Sequence, residues 1–166
     1  MLEPIGYVLV LVPVALFVYA PFIYPAILWL LSRLAPVPKV WADPPVWPSV
    51  TILVPAYNEE ESIAGTLESL LALDYPADRR EIMVMSDAST DRTDEIVEGF
   101  AARGVRLVRM PVRKGKTAAE NHTLKLVTSE IVVNTDATIR IPAGSLRPLL
   151  RVFQDPTIGA ASGRDV

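Results

Sequence analysis

The sequence predicts an α/β protein: a mostly parallel sheet with helices on both faces, preceded by a transmembrane helix. Three observations predict it. Short β-rich runs alternate with stretches of helical spacing along residues 50–166. Most of those runs are continuously apolar, as in strands buried on both faces. The run from Ile5 to Leu31 contains no charged residue.

That run exceeds the roughly 20 apolar residues a spanning helix needs. A cleaved signal peptide fits it poorly, because such peptides pair a basic start with a short apolar core. Here the only early charge is Glu3. Pro13, Pro21 and Pro25 predict a kinked or divided helix, which membrane helices tolerate better than soluble ones. Arg33 and Lys39 follow the run, so the positive-inside rule puts the C-terminal side in the cytoplasm. The expectation is a single-pass protein of the lipid bilayer with a cytoplasmic globular part. Residues 1–34 form the transmembrane segment, 35–49 a proline-rich neck and 50–166 the globular domain. Prolines make the neck extended rather than helical. Its Trp41 and Trp47 either rest on the bilayer surface or cap the domain.

The globular part reads as β-α-β-α-β-α-β-α-β. Strands are predicted at Thr51–Val54, Glu81–Met85, Val105–Val108 and Glu130–Val133, with a weaker one at Ile158–Ser162. Ile63, Leu67, Leu70 and Leu71 line one face of the first helix, and Asn58 caps it with Glu61 in the capping-box position. The second helix runs from Asp91 to Ala102, capped by Ser89, Thr90 or Asp91 and ended by Gly104. The third and fourth run over Lys116–Val127 and Gly144–Phe153.

Composition removes several function classes. The net charge is -3 with no basic face, which argues against a nucleic-acid partner. The absence of cysteine excludes disulfides, cysteine-based zinc sites and thiol nucleophiles.

Parallel sheets bind ligands outside the carboxyl ends of their strands. The residues there are Tyr57-Asn58-Glu59, Asp87 to Asp91 and Asp136-Ala137-Thr138, joined by the basic loop Arg113-Lys114-Gly115-Lys116. Carboxylates beside lysines suit a nucleoside diphosphate, since they accept from base and ribose while the cations offset the phosphates. Neither G-x-G-x-x-G nor the P-loop pattern is present, so dinucleotide and P-loop readings lack their motifs.

Four segments in order resemble the motifs of family 2 glycosyltransferases. They are Val54-Pro-Ala-Tyr-Asn-Glu-Glu60, Ser86-Asp-Ala-Ser-Thr-Asp91, Lys114-Gly-Lys116 with Asn121, and Thr135-Asp-Ala137. The resemblance implies a Rossmann-like sheet of GT-A type and a nucleotide-sugar donor, with UDP-sugars favoured over GDP- and dTDP-sugars. It implies that Pro55, Tyr57 and Glu59 surround the nucleotide, that Asp87 recognises the base and that Lys116 lies beside it. It makes Asp136 the first aspartate of a D-x-D motif, near ribose, diphosphate and a divalent cation (Mg or Mn). Thr138 stands where the second aspartate is expected, which puts metal dependence in doubt. Ser86 replaces the first Asp of the D-D-x-S pair.

The family extends a hundred residues or more past Ser162-Gly163 and carries its catalytic base there. The expectation is therefore a donor-binding half, a truncation, or one part of a split enzyme completed by a partner chain. The acceptor is expected to be a cell-envelope glycan or lipid. The alternative is a degenerate, non-catalytic nucleotide-binding membrane module. Plainer readings stand beside each residue. Asp87, Asp91 and Asp136 could cap turns, Lys114 and Lys116 could be solvated, and His122 reads as surface or packing. Asn121-His122-Thr123 is formally a glycosylation sequon on a helix.

Overall fold

Four parallel strands, β1 (Val50–Ala56), β2 (Arg80–Ser86), β3 (Val105–Arg109) and β4 (Ile131–Asn134), form one sheet in the order β3-β2-β1-β4. This is a computed structural model, and it describes residues 3–34 and 41–163. Most of the proline-rich stretch before Trp41, Lys39, and the terminal Arg164 and Asp165 lie outside the described residues. The chain forms two compact units, Met1–Val40 and Trp41–Val166.

In the second unit β1 is the centre. Val54 pairs with Val84 on one side, and Ile52 pairs with Val133 on the other. Alternation along the strands divides the core in two. Val50, Ile52, Val54, Ile82 and Val84 pack with α3 (Ile63–Leu71), α4 (Thr93–Glu98) and α6 (Leu146–Leu150). Leu53, Met83 and Met85 point to the other face, where Ala119 of α5 (Lys116–Leu124) covers them. Each central strand is thus apolar on both faces, which is why its sequence shows no polar alternation.

The predicted strands and helices appear at their expected places, with five differences. The fourth helix is α-helical only over Leu146–Leu150 and continues as a 3-10 turn, Arg151–Gln154. Asn58 does not cap α3. Ser62 precedes that helix, while Asn58 adopts a left-handed conformation (φ 56°) and its side-chain carbonyl accepts the Thr90 amide. The second helical stretch breaks after Glu98 and resumes as a 3-10 turn, Ala101–Arg103, ended by Gly104 at φ 87°. The third helix stops at Leu124. Residues Ile158–Ser162 form no strand: this Gly-Ala-Ala stretch has little β preference, and no described strand pairs with it.

The stretch before β1 is tied to the globular unit. Trp47 packs edge-on against Tyr75 at 5.6 Å, and the Arg147 guanidinium lies 5.5 Å from its ring. Tyr75 Oη donates to the Pro48 carbonyl at 2.5 Å, and Arg151 Nε donates to Asp43 at 2.6 Å. Of the two readings of Trp47, it therefore caps the domain.

The first unit is helical throughout its described residues. α1 (Glu3–Val18) and α2 (Tyr24–Leu34) are joined by a π-helical turn, Tyr19–Ile23. Pro21 sits inside that turn. Proline lacks an N–H and crowds the carbonyl four residues back, and a widened turn relieves both faults. Gly6–Leu34, 29 residues, is long and apolar enough to cross a membrane. At 1.5 Å per residue it is roughly 44 Å long, more than a hydrocarbon core of about 30 Å.

Burial pushes the Tyr75 hydroxyl up to about 12. The unfolded chain ionises near pH 10 and so binds fewer protons than the native state above that pH. The stabilisation is therefore complete below about pH 10 and is lost as pH rises toward 12. Alkaline unfolding followed by circular dichroism should show stability falling through that window, and Tyr75→Phe should flatten the fall.

Candidate functional site

The strand order creates a crevice. β1 sends its connection to β2 on one side of the sheet, while β4 joins β1 from the other, so the loops diverge beyond the end of β1. A cleft of about 370 Å³ lies there. Pro55, Tyr57, Glu59, Asp87, Lys116 and Asp136 all line it, together with Arg113 and Thr138. The structure thus brings together all six residues singled out in the sequence.

Hydrogen bonds between loops fix the rim. After β1, the Asn58 amide donates to Ser89 Oγ at 3.2 Å and the Glu59 amide to Thr93 Oγ1 at 2.7 Å. The Glu60 amide donates to Asp91 Oδ2 at 3.1 Å, and Glu60 Oε2 accepts the Arg92 amide at 3.0 Å. These reciprocal bonds join the loops after β1 and β2. Asp91 is a turn residue, because its other oxygen accepts both the amide and the hydroxyl of Thr93. Burial pushes the Asp91 carboxyl up, but the bonds from Thr93 and Glu60 outweigh it and hold the group below its ordinary value. Ser86, fully buried, accepts the Ser89 amide and so closes the turn locally.

Asp87 ties the basic loop to β2. Its two carboxylate oxygens accept the Lys114 amide at 2.8 Å and the Gly115 amide at 2.7 Å. The residue is buried, so the bonds are poorly exposed to competing water. Gly115 takes φ 87° at this point, which glycine adopts without strain. The Lys114 side chain lies outside the cleft, beside His122 and Lys125 on the outer side of α5.

The fourth loop is docked on α3. Thr66, fully buried, donates its hydroxyl to the Ala137 carbonyl at 2.5 Å. The Ile141 amide donates to Ser69 Oγ at 3.4 Å. Gly65 leaves room for the Arg140 guanidinium, which a Cβ there would strike. Leaving the Ala137 carbonyl unpaired would cost about 1–3 kcal/mol. Thr66 carried no functional signal in sequence, because a buried helix threonine reads as packing.

Across the cleft, Lys116 Nζ donates to Asp136 Oδ1 at 2.7 Å. That bond, partly opposed by desolvation, raises the Lys116 ammonium above its ordinary value. The Asp136 side chain thus pairs with an ammonium, while its backbone carbonyl closes the turn by accepting the Ile139 amide at 3.2 Å. Arg113 has a different partner: its guanidinium lies 3.7 Å from the centre of the Tyr57 ring. Its role was invisible in the sequence, where it was one member of a basic loop.

Divalent-cation chemistry needs clustered oxygen donors. Among the described residues, no group of three or more His, Cys, Asp or Glu stands together. Asp136 is paired with Lys116, and Thr138 takes the second position of the motif. The side chains alone do not fit a complete Mg²⁺ or Mn²⁺ site.

The sequence profile described as Glycosyl transferase family 2 matches residues 51–166. The chain belongs to that glycosyltransferase family. Among curated proteins, this family 2 chain is 35% identical over 122 residues to a beta-monoglucosyldiacylglycerol synthase from Synechocystis sp., covering 71% of this chain and 26% of the relative. Among solved structures, it resembles the mannosyltransferase PcManGT from Pyrobaculum calidifontis, solved with GDP-Man and Mn²⁺, at a TM-score of 0.78 and 37% identity. That likeness covers 88% of this chain and 44% of the other. It also resembles S. aureus TarS in complex with UDP, at a TM-score of 0.56 and 30% identity, covering 59% of this chain and 30% of TarS. The chain therefore spans about a quarter of the length of that curated relative, and its parallel sheet is of the Rossmann-like GT-A type.

If Asp87 holds the basic loop, Asp87→Ala should free it. Hydrogen exchange at the Lys114 and Gly115 amides should accelerate by about tenfold or more, since bonds to a charged acceptor contribute about 1.5–3 kcal/mol. Amides of β1 should be unchanged. Equal acceleration throughout the sheet would mean that Asp87 serves general stability instead.

Proposed function

We propose that this chain is the nucleotide-sugar-binding part of a membrane-anchored glycosyltransferase, with the donor nucleotide in the cleft beyond β1. One observation carries the reading: Pro55, Tyr57, Glu59, Asp87, Lys116 and Asp136, from the carboxyl end of β1 and the segments that follow the four strands, line one cleft. Tyr57 offers an aromatic face to a base. Glu59 and Asp87 supply acceptors, although Asp87 already takes two amides and has only its remaining lone pairs to give. Lys116 and Asp136 flank the sugar-diphosphate. The donor class is a nucleoside-diphosphate sugar, with UDP favoured by the resemblance; TarS is solved with UDP and the more similar PcManGT with GDP-Man, which makes GDP the competing nucleotide.

In the reaction proposed for the whole protein, the acceptor hydroxyl displaces nucleoside diphosphate from the anomeric carbon. The cleft's part is to orient the donor and offset charge gathering on the leaving diphosphate. A carboxylate that takes the acceptor proton is expected from the portion of the family beyond this span, in the same chain or in a partner chain. The acceptor is a cell-envelope glycan or lipid; the relative from Synechocystis is named for a glucosyldiacylglycerol. A second reading, a nucleotide-binding module without catalysis, is favoured by Thr138 and by the Lys116–Asp136 pair.

Titration calorimetry of the chain with UDP and GDP should show binding to at least one. Asp136→Ala and Tyr57→Ala should each weaken it about tenfold or more, as loss of a charged or stacking contact does. Unchanged affinity in both variants would remove the donor from this cleft. Because Thr138 leaves the cation set incomplete, Mn²⁺ should add little to the parent, and Thr138→Asp should introduce a Mn²⁺ effect.

The Gly6–Leu34 helix is assigned as a bilayer anchor with the globular unit in the cytoplasm, Arg33 standing at its C-terminal end. The chain should stay in the membrane pellet after alkaline carbonate washing. Recovery in the supernatant would rule the anchor out, and a reporter fused after Val166 should read cytoplasm.

A further inference from the structure

Two cations line the cleft, Arg113 and Lys116. Lys116 is already neutralised, its ammonium 2.7 Å from the Asp136 carboxylate. Among the described residues the Arg113 side chain forms no ion pair, and its guanidinium lies over the Tyr57 ring at 3.7 Å. The backbone just beyond it is fixed, because Asp87 holds the next two amides. The side chain itself is exposed. Arg113 therefore carries a free charge on a fixed base, resting over the aromatic face that a nucleobase would use.

A ligand stacking on that face of Tyr57 must displace the guanidinium. A guanidinium leaving a ring needs another partner, and its forked donors suit carboxylate or phosphate. The carboxylates of the cleft already have partners: Glu59 accepts Ser62 Oγ, Asp87 two amides and Asp136 the Lys116 ammonium, so the incoming phosphate is the unpaired acceptor. Arg113 stands three residues before Lys116, whose partner Asp136 the resemblance sets near the diphosphate. Thr138 sharpens the need: with the cation set incomplete, positive charge for the diphosphate must come from side chains.

Resting on the donor-site reading above, we infer that Arg113 is a specificity-determining residue that leaves the Tyr57 ring when a nucleotide binds and pairs with its diphosphate. The ring contact disfavours bare nucleosides, which must break it and offer nothing back. A nucleoside diphosphate breaks it and replaces it with a charge-assisted pair. Selection for the diphosphate is thus built into one side chain.

The test is titration calorimetry of the full chain in detergent and EDTA with UDP, UMP and uridine, or with GDP, GMP and guanosine in the same roles where GDP is the nucleotide the parent binds. Arg113→Ala should weaken UDP by about tenfold, the loss expected of one charge-assisted contact. Uridine affinity should stay within about twofold or tighten, because stacking on the ring is a sequence-tolerant contact that no longer competes with the guanidinium. UMP should fall between. Arg113→Lys should recover part of the UDP affinity, and the salt dependence of UDP binding should be shallower in Arg113→Ala than in the parent. The inference is overturned if Arg113→Ala binds UDP as the parent does, or if it loses uridine and UDP in equal measure, which would mark a structural role. If the parent binds neither UDP nor GDP, the donor-site reading itself falls and this inference with it. Binding by the parent with no effect of Arg113→Ala sinks the inference alone.

Discussion

The structure depends on the complete burial of β1. Ile52, Leu53 and Val54 have no exposure, and strands flank β1 on both sides. A strand so placed must satisfy every backbone group through its neighbours and every side chain through a helix on each face. Those requirements put β2 on one side and β4 on the other, α3 on one face and α5 on the opposite one. The divergence of connections at its carboxyl end then follows from topology. The cleft is there because the chain leaves β1 in one direction and returns to it from the other.

Around that crevice, four loops are held by bonds that cross between elements rather than stay within them. Asn58, Glu59 and Glu60 meet Ser89, Asp91, Arg92 and Thr93. Asp87 holds the third loop and Thr66 the fourth. Several of the anchoring atoms are backbone amides and carbonyls, which do not swing as side chains do. The rim is thereby organised before any ligand arrives, and pre-organisation lowers the ordering cost of binding. The exceptions are Lys116, Asp136 and Arg113, which are exposed and free to change partners.

Periodicity made the sheet legible. Runs such as Ile52-Leu-Val54 and Ile82-Met-Val-Met85 are apolar at every position, and the structure sends alternate residues to the two clusters. Motif order made the cleft legible, since Tyr57, Asp87, Lys116 and Asp136 each follow a strand or open a helix. What escaped was contact between distant segments. Asn58 looked like a helix cap because its amide chemistry suits one, yet a partner 32 residues away, Thr90, offered both a donor and an acceptor. Arg113 over Tyr57 joins residues with no local relation. The Ile158–Ser162 run looked strand-like from two or three apolar residues, but a strand exists only where a ladder receives it.

The fastening of Trp41–Ser49 has a mechanical meaning. Any pull on the globular unit from its N-terminal side enters at this segment, immediately before β1. Asp43 is held by Arg151, the Ala42 carbonyl by Gln154 and the Pro48 carbonyl by Tyr75. Load is therefore shed onto the turn after α6 and the end of α3's loop before it reaches Val50. The segment works as a strain relief, like the clamp that keeps tension on a cable from reaching its terminal. That matters most at this strand, because a slip of one residue in β1 would turn every side chain to the opposite face and take Tyr57 out of the cleft.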